Sequence, residues 1–541
     1  MAAGEGEIHF PEPIIQLLQS FLDGKEAVRT TIVSRSWHRA WLTRPNLDFD
    51  DIHFTGSHNR KNDFKKYAKK TIKRYEQSKI KIESFNLCYF YDFDGTDELA
   101  KELIVKALRI GDTRLCLRLK TGYWLYIPNE VFGADNLVEL SLSGCIVGLD
   151  DGVVIKCRRL EYLSLDNVGI TIDTVSKIVS SCPCIEKLTL LPNQRYSGVS
   201  IAENEFGSDD EYEGVEERGQ RVLDAAATTM AVGVVDNLIP RLRCLVLGYA
   251  SFKTLCLGDL LSRFTFLKDF TLFLDNNGTI LEEGIQISNC SLELIKLVLQ
   301  GFSFDGNKKL RVKFDVPSVR RFTFEGDAIP CLSFVSTPPS RKWESHLSIE
   351  CPRRGFSALW FNELSELLTQ LSQSKTHLHV CPDLETFDYK VGDKIIQSLR
   401  KHDLENLTID MTGQPSLSCY ALFDGLFRLC RPKLITQSRR REYRKRYKNY
   451  CYDNENYTEI TNIDFLCQTL KQGINFKVSS PTQFMYGLND LEEVNAQALD
   501  MDDVPAEWKP IPLESLLDAD TPYKYEQAQI RTRLLLKWKS I

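Results

Sequence analysis

Leu137-Val138-Glu139-Leu140-Ser141-Leu142 is echoed by Leu160-Glu161-Tyr162-Leu163-Ser164-Leu165 and again by Ile185-Glu186-Lys187-Leu188-Thr189-Leu190. Each copy places three apolar residues at Leu-x-x-Leu-x-Leu, a spacing at which an extended strand sends all three into one core. Further copies start at Leu242, Leu267, Leu294 and Val319; copies lie 23 to 27 residues apart, except that Ile185 and Leu242 are 57 apart, about two repeat lengths. Weaker copies start at Ile82, Leu384 and Leu404, and a degenerate one occupies Leu115 to Leu119. Between two strands, Thr171 to Ser181 has helical periodicity. Each unit therefore reads as strand, turn and helix. Such units stack into a solenoid with parallel strands on its concave side and helices or turns on its convex side. Scattered strands of a sandwich would show no fixed period.

The period and consensus are those of leucine-rich repeats. Cys145, three residues after Leu142, stands where such repeats accept a buried Asn or Cys. A solenoid grows by stacking, so one long repeat domain absorbs a length of 541 residues that would otherwise suggest roughly three to four domains. With 43% hydrophobic and 26% charged residues the chain is expected to fold rather than remain disordered. A net charge of −6 gives the whole chain no electrostatic case for nucleic acid. No apolar run is long enough for a membrane span, and Met1 to Gly6 does not open a secretory signal, so a location in the nucleus or cytoplasm is expected. The 16 cysteines contain no CxxC pair and read as reduced, mostly buried hydrophobes of the stack. The N-x-S/T sequons at Asn277, Asn289, Asn406 and Asn456 are then silent.

Residues 8–48 differ in pattern. Pro11-Glu12-Pro13 suits a helix start. Ile14, Leu18, Phe21 and Leu22 follow at one-face spacing, and Asp23-Gly24 ends the helix. Glu26 to Val33 reads as a second short helix with Ala27, Val28 and Ile32 inward. Ser34 is the expected N-cap of a third helix carrying Trp37 and Trp41. Forty residues bury too little surface to be comfortable alone, so the bundle needs a partner or the next domain.

Phe10-Pro11, Ser20-Phe21-Leu22, Ala27 to Thr30, Ile32-Val33-Ser34-Arg35-Ser36-Trp37 and Pro45 to Asp50 resemble the F-box of plant-type F-box/leucine-rich-repeat proteins. The departures are Phe10 for Leu, Gln19 where an apolar residue is usual, and Asp23-Gly24 for a Pro-x pair. The segments Ala421 to Ile435, Phe465 to Leu470 and Gly487 to Gln497 are similar to the family's region after its last repeats. The resemblance implies an α/β chain: a small helical F-box at 8–50, then a repeat solenoid at 51–435 interrupted by an acidic insertion at about 195–220. A basic segment and C-terminal repeat or cap region would occupy 436–499, and a tail 500–541 with a helix at most. It further implies the substrate-recognition subunit of a Skp–cullin–F-box E3 ubiquitin ligase, non-catalytic and without a cofactor. Pro11, Ile14, Leu18, Phe21, Ala27, Val28, Ile32, Val33 and Trp37 would meet the Skp adaptor, and through it the cullin and RING subunit. The repeats would hold a target protein that the sequence does not name. Trp41 would plug the join to the next domain. An interaction scaffold that assembles no ligase remains the alternative, and a nucleic-acid-associated protein a weaker one.

Three charge runs lie outside that pattern. Residues 203–217 carry Glu203, Glu205, Asp209, Asp210, Glu211, Glu213, Glu216 and Glu217, with Ser208 a candidate phosphosite, and a helix is expected from about 218 to 237. Residues 60–81 carry ten Lys and Arg among Phe64, Ala68, Ile72 and Tyr75, which predicts an amphipathic helix against the first repeat. Arg439, Arg440, Arg441, Arg444, Lys445, Arg446 and Lys448 form a candidate nuclear-localisation or anion-binding run, or a solvated loop. No phosphate loop, dinucleotide fingerprint, zinc-protease helix or nucleophile elbow occurs. His377, His379 and Cys381 alternate on one strand face, but a metal site needs a further group, and none is assigned.

Overall fold

The computed structural model describes residues 10–192 and 239–438 with short interruptions, together with 491–498 and 532–538. The chain divides into two compact units, Met1–Ser251 and Phe252–Ile541.

The first unit opens with helices α1 (Glu12–Ser20), α2 (Gly24–Arg29) and α3 (Arg35–Thr43). Its strands are β1 (Asn46–Asp50), β2 (Ser84–Tyr89), β3 (Arg114–Leu119), β4 (Leu125–Tyr126), β5 (Glu139–Ser143), β6 (Cys145–Val147), β7 (Tyr162–Ile170), β8 (Lys187–Pro192) and β9 (Cys244–Gly248). The main sheet runs β1-β2-β3-β5-β7-β8-β9, every neighbour parallel. The register puts Leu47, Phe85, Leu115, Leu140, Leu163, Leu188 and Leu245 in one row across all seven strands. Every member of that row is buried, and each fully buried Leu or Phe contributes about 1.5–3 kcal/mol. The degenerate copy at Leu115 to Leu119 is thus in full register. Pro45 to Asp50 does not close the helical bundle: Asn46–Asp50 is the first strand of the stack. Its alternation Leu47-Asp48-Phe49 buries Leu47 and Phe49 as the repeats bury theirs.

Helix α4 (Arg60–Ser78) joins β1 to β2, α5 (Thr96–Ile110) joins β2 to β3, and α6 (Ile172–Ser181) joins β7 to β8. Helix α4 is the expected amphipathic helix, with Phe64, Ala68, Ile72 and Tyr75 all buried. Thr171 caps α6 by accepting the Thr174 N–H (3.3 Å). A minor parallel ladder of β4, β6 and β7 forms beside the main sheet.

In the second unit β10 (Asp269–Asp275), β12 (Leu294–Gln300), β14 (Arg321–Gly326), β16 (Glu344–Glu350), β17 (Lys375–Cys381), β19 (Asn406–Asp410) and β21 (Leu434–Ser438) are successive parallel neighbours. The copy that starts at Leu294 is shifted by two residues. Asp269 pairs with Leu294, so the core triplet is Leu292, Ile295 and Leu297, all buried, while Leu294 is 39% exposed. Several connections here are strands where helices or turns were expected. β11 (Ile285–Ser288), β13 (Arg311–Asp315) and β15 (Cys331–Phe334) form a second parallel sheet, because Ile285, Ile287, Val312, Phe314 and Leu332 alternate with period two. Phe314 stacks on Phe334 with centroids 5.0 Å apart. β18 (His402–Leu404) and β20 (Cys430–Pro432) make a third small ladder.

The expected tail is also a strand. β23 (Thr532–Trp538) pairs antiparallel with β21 and with β22 (Leu491–Ala498), so the parallel ladder continues into an antiparallel pair that covers the β21 edge. The acidic run 203–217, the helix expected at 218–237, the repeat copy at Leu384, the basic run Arg439 to Lys448 and the segment Phe465 to Leu470 lie outside the described residues.

Among the described residues Cys145, Cys157, Cys182 and Cys430 are buried, whereas Cys290 and Cys331 are exposed and Cys88, Cys116, Cys184 and Cys244 half-buried. The cysteines are therefore core residues only in part; Cys88, Cys116 and Cys244 sit on strand positions that point away from the leucine rows. Burial pushes the Cys157 thiol up to about 11 and Cys182 up to about 12, and raises Cys145 and Cys430 as well. Only the thiolate reacts. Among the described cysteines, alkylation of the native chain is expected to label Cys290 and Cys331 first and those four only after denaturation, read by peptide mass.

His402 is buried beside the Ser365 hydroxyl (3.4 Å), and burial, with the Arg400 charge, holds its pKa below 6.5. The unfolded chain takes this proton more readily, so stability from a neutral His402 is present above about pH 6.5 and lost as pH falls toward the folded pKa. His402→Asn is expected to reduce the drop in urea midpoint between about pH 7.5 and 5. An unchanged drop would mean that other groups carry it.

Candidate functional site

The helical bundle builds two faces from one short sequence. Inward stand Ile15, Gln19, Ala27 and Ala40, each nearly or fully buried. Gln19 Nε2 donates to Thr30 Oγ1 (2.8 Å) and to the Trp37 carbonyl (3.1 Å), so one side chain ties α1 to the turn Thr30–Ile32 and to α3. Thr30 Oγ1 in turn donates to the Ala27 carbonyl (2.6 Å). Gln19 is thus an internal latch rather than part of an apolar outer surface. Gln16 Nε2 donates to Thr43 Oγ1 (2.9 Å), which donates to Glu12 Oε1 (2.9 Å), joining the start of α1 to the end of α3. Ser34 caps α3, accepting the Trp37 N–H (3.4 Å).

Outward stand Phe10, Ile14, Leu17, Leu18 and Phe21 along α1, followed by Val28, Ile32 and Val33. Phe21 is 73% exposed, Ile32 89% and Val33 65%. Eight of the fifteen exposed large apolar side chains among the described residues fall within 10–33. Single exposed leucines are ordinary, but a concentration of this kind marks an interaction surface.

Of the residues expected to meet a partner, Pro11, Ile14, Leu18, Phe21, Val28, Ile32 and Val33 are on this outer surface. Ala27 is not: it is fully buried, and its small side chain lets α2 sit close to its neighbours. Val28 and Ile32, read as inward with it, point out. Val28 lies about 100° around the helix from Ala27, and the tight turn Thr30–Ile32 carries Ile32 outward. Trp37 is half-buried, its carbonyl taken by Gln19. Leu17, and Phe10 where the pattern has Leu, belong to the same surface. Leu17 was readable, since Ile14, Leu17, Leu18 and Phe21 fall at i, i+3, i+4 and i+7.

Trp41 stands at the join to the first repeat, where the Arg74 guanidinium of α4 lies 5.6 Å above its ring. The Tyr75 hydroxyl donates to the Arg44 carbonyl (2.8 Å), and Arg44 pairs with Asp48 of β1 (2.7 Å). Burial raises the Tyr75 pKa, so this phenol stays a donor. The bundle is therefore anchored on side chains other than those of its outer surface.

On the sheet of the second unit, opposite charges face each other across neighbouring strands: Lys296 with Glu325 (3.2 Å) and Arg321 with Glu344 (3.4 Å). His346 and His377 stack with centroids 4.6 Å apart, and His379 Nδ1 lies 3.2 Å from Ser348 Oγ. The alternating histidines are used as ring and hydrogen-bond partners. Among the described residues no group of three His, Cys, Asp or Glu is placed to share a metal ion. Nor is any helix among them long and apolar enough to cross a membrane.

Fold and site together define a class: a small helical bundle with an outward apolar surface, joined to stacked repeats of parallel strands. The chain is 28% identical over 190 residues to an F-box/LRR-repeat protein of Arabidopsis thaliana, covering 33% of this chain and 35% of the relative. It is 29% identical over 195 residues to a second F-box/LRR-repeat protein of that plant, covering 34% and 38%, and 29% identical over 184 residues to an F-box/FBD/LRR-repeat protein, covering 33% and 38%. No family model matches the chain. The matches span little more than a third of the length of these curated relatives, and over that third the chain is similar to plant F-box/LRR-repeat proteins.

Proposed function

We propose that this chain is the substrate-recognition subunit of a Skp–cullin–F-box E3 ubiquitin ligase, working in the nucleus or cytoplasm. The bundle holds the Skp adaptor, which links it to cullin and RING subunits, and the repeats hold a target protein. No residue of the chain makes or breaks a bond in this reading. Catalysis is proximity: target lysines are held at high effective concentration beside the charged conjugating enzyme.

The observation that carries it is the outer apolar surface of residues 10–33. Ile15, Gln19, Ala27 and Ala40 fill the interior of the bundle, while Phe21, Ile32 and Val33 stay mostly exposed and Ile14, Leu18 and Val28 stay about two-fifths exposed. Burying what is still exposed in the groove of a helical partner would contribute about 1 kcal/mol for the two-fifths-exposed side chains and up to about 2–3 kcal/mol for the most exposed, against a substantial cost of association. Mixing the purified full chain with a plant Skp adaptor is expected to give a stable complex by gel filtration, with addition of cullin and RING subunits extending it. Failure of the intact, folded chain to bind the adaptor would overturn the reading.

A further inference from the structure

Apart from one ion pair to α5, the outer face of α4 takes no part in the described packing of the stack or of the bundle. Lys65, Lys66, Lys69, Lys70 and Lys73 all point away from the buried stripe of Phe64, Ala68, Ile72 and Tyr75. On an ideal helix they occupy about 140° of arc and about 12 Å of axis. Lys69 pairs with Glu102 of α5 (3.0 Å), a carboxylate already shared with Lys106 (2.7 Å). Lys65, Lys66, Lys70 and Lys73 have no acidic partner among the described residues. Lys65, Lys69 and Lys73 are spaced at i, i+4 and i+8, where like charges destabilise a helix. The face carries five lysines against Glu102 of α5 and the exposed Glu76 near its end, a cationic surplus in a chain whose net charge is −6.

The densest acidic run of the chain belongs to the same unit. Residues 203–217 hold eight carboxylates and no Lys or Arg. The first of them, Glu203, is eleven residues beyond the end of β8 at Pro192. Eleven extended residues reach about 36 Å, whereas the five strand spacings from β8 back to β1 amount to about 24 Å. A segment tethered at that range acts at an effective concentration in the millimolar range, which external polyanions would have to exceed.

We propose that the acidic segment 203–217 docks on the lysine face of α4, an intramolecular contact that neutralises this face and ties the insertion between β8 and β9 to the first repeat. The contact is electrostatic, so it is tight at low ionic strength and released by salt. It does not depend on whether the bundle binds an adaptor.

Zero-length carbodiimide coupling of the full chain, read by peptide mass spectrometry, tests this. Amide links are expected from carboxylates of 203–217 to Lys65, Lys66, Lys69, Lys70 or Lys73. They should form within one chain in an isotopically mixed sample, and fall about tenfold in about 1 M salt, where the screening length is about 3 Å. Reversing Lys65, Lys66 and Lys70 to Glu should cut coupling at the remaining Lys69 and Lys73 by a similar factor. Changing Asp209, Asp210 and Glu211 to Lys in that background should restore links, now from the new lysines to the new glutamates. The melting temperature reports whether α4 survives reversal; if it does not, the salt series and the segment changes in an otherwise native chain decide alone. Links mainly to other lysines, links between chains, or salt-insensitive coupling would each overturn the proposal.

Discussion

Replacing Ile14 and Leu18 together by aspartate is expected to weaken adaptor capture by roughly 10³-fold while leaving the melting behaviour of the chain unchanged. Partial exposure of both side chains accounts for the loss of binding and for the retained stability. Both side chains are more than two-fifths exposed, so neither fills the interior of the bundle, and charging them leaves Ile15 and Gln19 where they are. In a complex the same two positions, one turn apart on α1, would lie against the partner's apolar helices. There each truncated anchor costs about 2 kcal/mol, and a carboxylate forced into the contact costs more. A sum of about 4 kcal/mol is the stated factor of about 10³. The neighbouring residue supplies the contrast. Ile15→Asp places a charge at a position only 1% exposed, and is expected to unfold the bundle itself, with loss of helical signal and of adaptor binding together. Titration of both variants against the adaptor, with circular dichroism alongside, separates an interface from a core. If the Ile14/Leu18 variant binds as tightly as the native chain, the outer surface of α1 is not the docking face.

The stack was legible because its signal repeats. Leu140, Leu163 and Leu188 occupy the same place in successive copies and the same row in the sheet, so each confirms the next. Where the signal stood alone it misled. Leu294 and Leu292 both satisfy a strand alternation, and only pairing with Asp269 selects the triplet that begins at Leu292. The connections of the second unit escaped because runs such as Ile285 to Ser288 and Arg311 to Asp315 are too short for periodicity to separate strand from loop. β23 escaped because its partner β21 lies nearly a hundred residues away, and no local pattern encodes a pairing at that distance. In the bundle the outer surface was readable from Ile14, Leu18 and Phe21. Ala27 and Gln19 were not, because which side of a short helix faces inward depends on what α3 presents to it: here the Trp37 carbonyl, which asks for a donor.

Gly144 carries the second large effect. It follows β5 directly, with φ +72°, and its N–H donates to the carbonyls of Asp166 (3.3 Å) and Asn167 (3.1 Å) across in β7. A methyl group built on it would overlap the carbonyl oxygen of Leu119, at the end of β3. That oxygen is backbone, and Leu119 itself is buried, so neither a rotamer change nor a small shift of one side chain relieves the overlap. Two costs therefore combine in Gly144→Ala: about 1–2 kcal/mol for a side chain in the left-handed region, and the larger cost of moving β3 against β5. Together they are expected to exceed about 4 kcal/mol, the range in which a single change becomes exceptional. Gly152 isolates the first cost. It too has positive φ (+89°), but a methyl group there meets nothing within 4 Å, so Gly152→Ala should lose only the conformational term. Urea unfolding, with hydrogen exchange of the β3, β5 and β7 amides to localise the change, distinguishes the two. The exchange protection of β3 and β5 should collapse in Gly144→Ala and persist in Gly152→Ala. Equal losses in both would mean that the close approach of the turn after β5 to Leu119 does not constrain the stack, and that the repeats in this region tolerate a wider spacing than their register implies.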